Sequence, residues 1–191
     1  MDIMELLYGR RTYRRFAQKK VPENTLHNIL EAARISSSAA NKQSLRYIIV
    51  QKPEEVASVC DLVKWAAYLP AEVGTPKENE RPTLFIAVLQ PANGSVTDHT
   101  DAGIALSNMT LAAWADGVGS CIMGAINRPK LTELFGLPED YAIHSMVAFG
   151  YPVHKSSVVP VKNGDIKYYL DENKDYLVPK RAMEDIVWNI R

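Results

Sequence analysis

Cysteine is nearly absent: Cys60 and Cys121 are the two thiols in 191 residues. That is too few for a disulfide framework or a cysteine-rich zinc site. Net charge is absent too, because 22 basic side chains cancel 22 acidic ones, so no global field draws the chain to nucleic acid or to an anionic membrane. The strongest strand-like apolar run, Leu84 to Leu89, is far too short to span a bilayer. The start, Met1-Asp2-Ile3-Met4-Glu5, carries acids where a signal peptide would carry lysine or arginine. The expectation is a cytoplasmic protein in a reducing setting, without membrane or nucleic-acid partners. Its length and 47% apolar content suit one domain over residues 1–191 with a substantial core.

Familiar catalytic signatures are missing as well. Gly117-Val118-Gly119 lacks the third glycine of a dinucleotide fingerprint, since Ile122 stands there. Gly119 and Gly124 have phosphate-loop spacing, but Ala125 and Ile126 replace the lysine and hydroxyl residue. No Gly-x-Ser-x-Gly elbow occurs. His27, His99, His144 and His154 are scattered without metal spacing, so no metal is expected. Cys121 lies in an apolar stretch and reads as a buried, inert thiol.

What is present begins with helical and strand patterning. Ile3, Leu6 and Leu7 mark a short helix stopped by Gly9; Leu26, Ile29, Leu30 and Ala33 mark a second, opened by Pro22. Arg46–Val50 reads as a buried strand, and residues 54–68 as a helix. Pro70, Gly74, Pro76 and Pro82 make 70–82 a long loop. Thr83–Leu89 is continuously apolar and reads as a central strand covered on both faces. From Asp98 to Asp116 runs a helix with almost no polar face, which requires protein around it, and a partner subunit is a natural source. Ser120–Met123 and Ser145–Phe149 are further strands. Between them lies a small helix at 130–136, with Leu131, Leu134 and Phe135 inward and Gly136 as terminator. Residues 153–179 read as an extended arm, and Met183, Ile186, Val187 and Ile190 as a last amphipathic helix. Helices interleaved with four buried strands predict an α+β or α/β sandwich.

Charge is concentrated in one place. Gly9-Arg10-Arg11-Thr12-Tyr13-Arg14-Arg15-Phe16 puts four arginines into six positions, and a planar fork of donors that never deprotonates suits a phosphate or carboxylate. Three other segments stand out: Ser36-Ser37-Ser38-Ala39-Ala40-Asn41-Lys42-Gln43, Gly119-Ser120-Cys121-Ile122-Met123-Gly124, and Pro179-Lys180-Arg181. The amides of Asn41 and Gln43 match the alternating donors and acceptors of a polar ring edge.

In that order, the four segments resemble those of the FMN-dependent nitroreductase family. The resemblance implies a nitroreductase-like α/β/α sandwich, with a central, mostly antiparallel sheet flanked by helices and a C-terminal arm swapped onto a partner. It implies that Arg10, Thr12 and Arg14, with Arg11 nearby, hold the FMN phosphate and ribityl chain, and that Lys180 and Arg181 return to that phosphate. Arg15 has no strong counterpart in the family and is expected in solvent. Ser37, Ser38, Ala39, Asn41 and Gln43 would meet the ring, although the proline and tryptophan that usually follow are Ser44 and Leu45 here. Backbone at Ile122, Met123 and Gly124 would run beside it. In the loop 65–82, Trp65 and Tyr68 either wall the substrate side or pack in the core.

A flavin brings its own chemistry and needs the protein to bind, orient and tune it, which suits a chain without acid–base pair, metal or nucleophile. The activity implied is hydride transfer from NAD(P)H to a nitroaromatic, quinone or related small acceptor by ping-pong chemistry. The alternatives are dehalogenation, desaturation, or flavin binding without turnover. The resemblance also implies a homodimer, with the arginine and Asn-x-Gln segments at one flavin coming from different chains.

Overall fold

A strand without a charged or polar side chain needs cover on both faces. In the structure, a computed structural model describing residues 2–189, that stretch is β3 (Leu84–Pro91), and Leu84 to Val88 are fully buried. Strand side chains alternate between faces. Leu84, Ile86 and Val88 therefore join one core, with Ile29 and Ala33 of α2 (Glu23–Arg34) and Ala102, Leu106 and Met109 of α5 (Val96–Ala115). Phe85, Ala87 and Leu89 join the other, with Val56 and Val59 of α3 (Pro53–Asp61) and Leu131 of α6 (Arg128–Phe135). The result is helices on both sides of a sheet.

That sheet is antiparallel throughout. β5 (Tyr141–Pro152) pairs with β3, Leu84 opposite Phe149, with a register shift between Val88 and Leu89. Beyond β3 lies β2 (Arg46–Val50). On the far side of β5 come β4 (Gly119–Met123) and, at the end of the strand, β1 (Phe16–Ala17). α1 (Ile3–Gly9) packs on α5, and α4 (Ala71–Gly74) is a single turn. Among the described residues no helix is long and apolar enough to cross a membrane.

Several elements depart from expectation where long-range contacts override local pattern. β2 is an edge strand with one neighbour, so Arg46 and Ile49 are exposed rather than buried. α3 stops at Asp61 rather than near Tyr68. The chain there is drawn onto the exit of β4: Lys64 N–H donates to the Ala125 carbonyl and Asn127 N–H to that of Leu62, and Val63 bridges Ile126. The loop 70–82 holds α4 and a 3-10 turn at Glu78–Glu80. In α6, Leu131 is buried but Leu134 is 43% exposed, because this surface helix turns only one row inward.

α5 is less uniformly apolar than its sequence reads. Asp98, Asp101 and Thr110 are on its buried face, and one stripe, with Gly103, Ile104 and Ala115, is left exposed. Residues 153–179 hold strands of their own. β6 (Ser156–Pro160), β8 (Tyr176–Lys180) and β7 (Tyr169–Leu170) form a second, three-stranded sheet, β6 parallel to β8 and β7 antiparallel to it. The last helix, α7 (Met183–Ile186), is one turn long, and Ile190 lies outside the described residues.

Candidate functional site

The arginine segment follows directly from the end of α1. Gly9 is required there: a β-carbon would lie 2.3 Å from the indole nitrogen of Trp114, whose ring stacks on Tyr13 at 5.1 Å. Arg11 folds back and donates to the Leu7 carbonyl at 2.8 Å, closing the helix. The chain then runs beside β4, with Thr12 bridged to Ser120 and Tyr13 N–H donating to the Ser120 carbonyl at 2.9 Å. Gly119 permits this approach, since a β-carbon would lie 2.6 Å from Pro152 and 2.8 Å from Tyr13.

Arg10, Arg11, Thr12 and Arg14 line a cavity of about 200 Å³ together with Tyr168, Val178 and Lys180. The Arg14 guanidinium lies over two rings, 4.5 Å from the centre of Tyr168 and 4.9 Å from that of Tyr176. Such stacking holds a guanidinium while leaving its N–H edges free. Among the described residues, no carboxylate pairs with Arg10, Arg11, Arg14 or Lys180. The Nε atoms of Arg10 and Arg11 are buried without a partner. Burial, then the neighbouring Arg11 charge, lowers the pKa of Arg10. Three arginines and one lysine thus line one small cavity with no paired carboxylate among the described residues.

Arg15 is not solvated as expected. It sits 3.9 Å from Glu80 and donates to the Lys174 carbonyl, tying the second sheet to the 3-10 turn before β3. Arg181 lines a different cavity, beside Val158–Val161, which Lys180 also borders.

The serine-rich segment lies elsewhere. Ser37, Ser38 and Gln43 line a cavity of about 450 Å³ with Tyr47, Asp101 and Ala105, and no residue lines both this cavity and the arginine one. A 3-10 turn at Ala39–Asn41 carries the loop. Ala40, Asn41 and Gln43 take left-handed backbone, at φ 50, 53 and 50°, a strained state for residues with a β-carbon. Gln43 N–H donates to Ser38 Oγ at 3.1 Å, and the Asn41 and Gln43 side chains are exposed. Within one chain, then, the first two segments stay apart.

The third segment is brought to the first by the Thr12–Ser120 bridge. On β4, Gly119 to Cys121 and Met123 are buried while Ile122 is 42% exposed, and a β-carbon on Gly124 would meet nothing within 4 Å. Burial raises the Cys121 thiol pKa, and that of Cys60 is pushed up to about 12 by the same cause, so neither is a thiolate at neutral pH. Trp65 packs against the core and lines a cavity with Ala125, whereas Tyr68 is exposed and leans on the Tyr168 ring at 5.1 Å.

Sequence reasoning missed Tyr168, Tyr176 and His154. Tyr168 and Tyr176 hold Arg14, and His154 is buried between Tyr13 and Tyr176 with both ring nitrogens lacking a side-chain partner. The strand-like run Ile166–Leu170 was the available signal, but nothing in it pointed to an arginine more than 150 positions earlier.

The nitroreductase family model matches residues 7–151, a span that includes the first three segments and ends before Lys180. A Thermus thermophilus NADH dehydrogenase is 30% identical over 183 residues, covering 81% of this chain and 89% of that protein. A Bacillus subtilis FMN reductase (NAD(P)H) is 26% identical over 172 residues, covering 83% and 69%. A Desulfovibrio desulfuricans structure solved in complex with FMN aligns with a TM-score of 0.72 over 100% of this chain and 98% of that one; at 22% identity the likeness is one of fold.

Proposed function

The chain belongs to the nitroreductase family, and from that premise we propose that it is an FMN-dependent oxidoreductase passing hydride from NAD(P)H to a nitroaromatic, quinone or related small acceptor. One observation carries the cofactor: Arg10, Arg11, Arg14 and Lys180 surround a single cavity without a carboxylate among the described residues. A phosphate dianion fits that charge. Bound FMN would supply the hydride-accepting ring, donor and acceptor using it in turn by ping-pong chemistry.

The protein's own part is binding, orientation and access. Thr12 adds a hydroxyl beside the cations. Backbone at Ile122, Met123 and Gly124 borders the ring, and Ile122 is an exposed apolar side chain that a ring would cover. Ser37, Ser38, Ala39, Asn41 and Gln43 supply the polar edge. Since their cavity is separate from the arginine cavity within one chain, a homodimer that joins the two across its interface is the arrangement proposed. The exposed stripe of α5 supports such an interface, and residues 153–179 with the tail beyond them would add to it. Tyr68, leaning on Tyr168, and Trp65 would line the substrate side.

Titration of the flavin-free chain tests the assignment. A charge-assisted phosphate contact is worth roughly 1.5–3 kcal/mol. Arg10→Ala should therefore weaken FMN about ten- to a hundredfold and leave riboflavin, which has no phosphate, unchanged. Equal losses for both flavins would contradict it.

A further inference from the structure

Asp101 is 4% exposed on the buried face of α5, next to Ala102, Ala105 and Leu106. Among the described residues it has no cationic partner. Both of its oxygens accept from one donor, the backbone N–H of Ala39, at 3.0 and 3.1 Å. A buried carboxylate with one amide for company is costly, so plain helix packing does not account for it. Two neighbours on the same helix do similar work. Asp98 accepts from Ser44 Oγ at 2.7 Å, and Asn108 Nδ2 donates to Ser36 Oγ at 2.8 Å. Spaced by three and seven, Asp98, Asp101 and Asn108 share one face of α5, and all three bond to the segment Ser36–Ser44.

That segment needs holding. Ala40, Asn41 and Gln43 are at positive φ within four residues, a backbone that persists only where its surroundings enforce it. Its own side chains Asn41, Lys42 and Gln43 are exposed and brace little. We infer that Asp101 is a positioning residue, which anchors the amide of Ala39 so that the strained turn presents Asn41 and Gln43 to the polar edge of the flavin ring. The inference rests on the cofactor reading above. It predicts a ring-side defect, in contrast to the phosphate-side defect of Arg10→Ala.

The test is Asp101→Asn, which keeps the shape but replaces charge-assisted bonds with weaker neutral ones. FMN and riboflavin should both bind about tenfold more weakly, with their ratio unchanged. Amide hydrogen exchange at Ala39–Gln43 should rise while that of β3 stays put, a pattern that general loss of stability would not give. Unchanged affinity for both flavins, a loss confined to FMN, or unchanged exchange at Ala39–Gln43 would overturn the inference. Should Asp101→Asn fail to fold, Asp101→Glu keeps the charge but moves the carboxylate away from the Ala39 amide. It should produce the same parallel loss on a smaller scale, and indifference of both flavins would overturn the inference equally. A parent chain that takes up neither flavin would contradict the cofactor reading instead, and the exchange measurement would still decide the role of Asp101.

Discussion

His154 is 8% exposed between Tyr13 and Tyr176, and its pKa is lowered to about 4 by burial and then by the charges of Arg15 and Arg14. The folded value lies below the unfolded one, so the neutral ring is native and folding excludes a proton. Stability is therefore full above the ordinary value of 6.5 and is lost as pH falls from there toward 4. The loss should approach about 3 kcal/mol. Melting of the flavin-free chain from pH 7.5 to 4.5 should show the decline, and His154→Gln should flatten it; an equal slope in the variant would assign the decline elsewhere. Asp98 acts in a lower window. Its pKa is depressed to about 2 by the backbone N–H of Ser95 and the hydroxyls of Ser95 and Ser44, so its contribution is present above 3.8 and lost below. At this scale the sequence displayed charge but not its surroundings. Arg10, Arg11 and Arg14 were legible as a cation cluster because they are close together in the sequence. The tyrosines that hold Arg14, and the Glu80 and Lys174 contacts that take Arg15 out of solvent, come from distant segments and left no local pattern.

Elements whose cover is dictated by their own composition were legible; those set by distant pairing were not. β3 announces burial by its unbroken apolar run Leu84–Leu89, and α5 by its apolar stretch from Ala102 to Trp114 with no charges. β2 is as apolar as β3 over Tyr47–Val50, yet it lies at an edge, because strand order depends on the whole chain. The early end of α3 likewise comes from backbone bonds to the exit of β4. Two glycines on and just after that strand separate structure from function. A methyl group on Gly119 would press on Pro152 and Tyr13, so Gly119→Ala should cost about 1–3 kcal/mol and lower the melting temperature. Gly124 faces open space, so Gly124→Ala should melt like the parent. If its backbone borders the cofactor as proposed, FMN affinity should nevertheless fall. A Gly124→Ala chain with parental flavin affinity would remove that segment from the site.

For the whole molecule, the open question of cover becomes a statement about assembly. Ile104 is 36% exposed on α5, and Met183, Ile186, Val187 and Trp188 are all exposed in the tail, Trp188 fully. Exposed apolar side chains of this kind fit the homodimer proposed above. The sequence pointed to a partner through α5 and through residues 153–179; that stretch folds as a sheet against its own arginine segment, and both it and the tail beyond it expose apolar side chains, Val153, Ile166 and Tyr169 among them. If each site combines Arg10 of one copy with Asn41 of the other, refolding Arg10→Ala chains with Asn41→Ala chains should restore about one intact site per heterodimer. No recovery in heterodimers of two inactive parents would rule out a shared site. Reductive titration of the purified protein under anaerobic conditions reaches the redox assignment itself. FMN released on denaturation should be present at about one per chain, and NADH or NADPH should bleach it at about one equivalent per flavin, with colour returning when a quinone is added. A chain that takes up no FMN, or whose bound FMN neither nicotinamide reduces, would contradict the assignment of this protein as an FMN-dependent oxidoreductase.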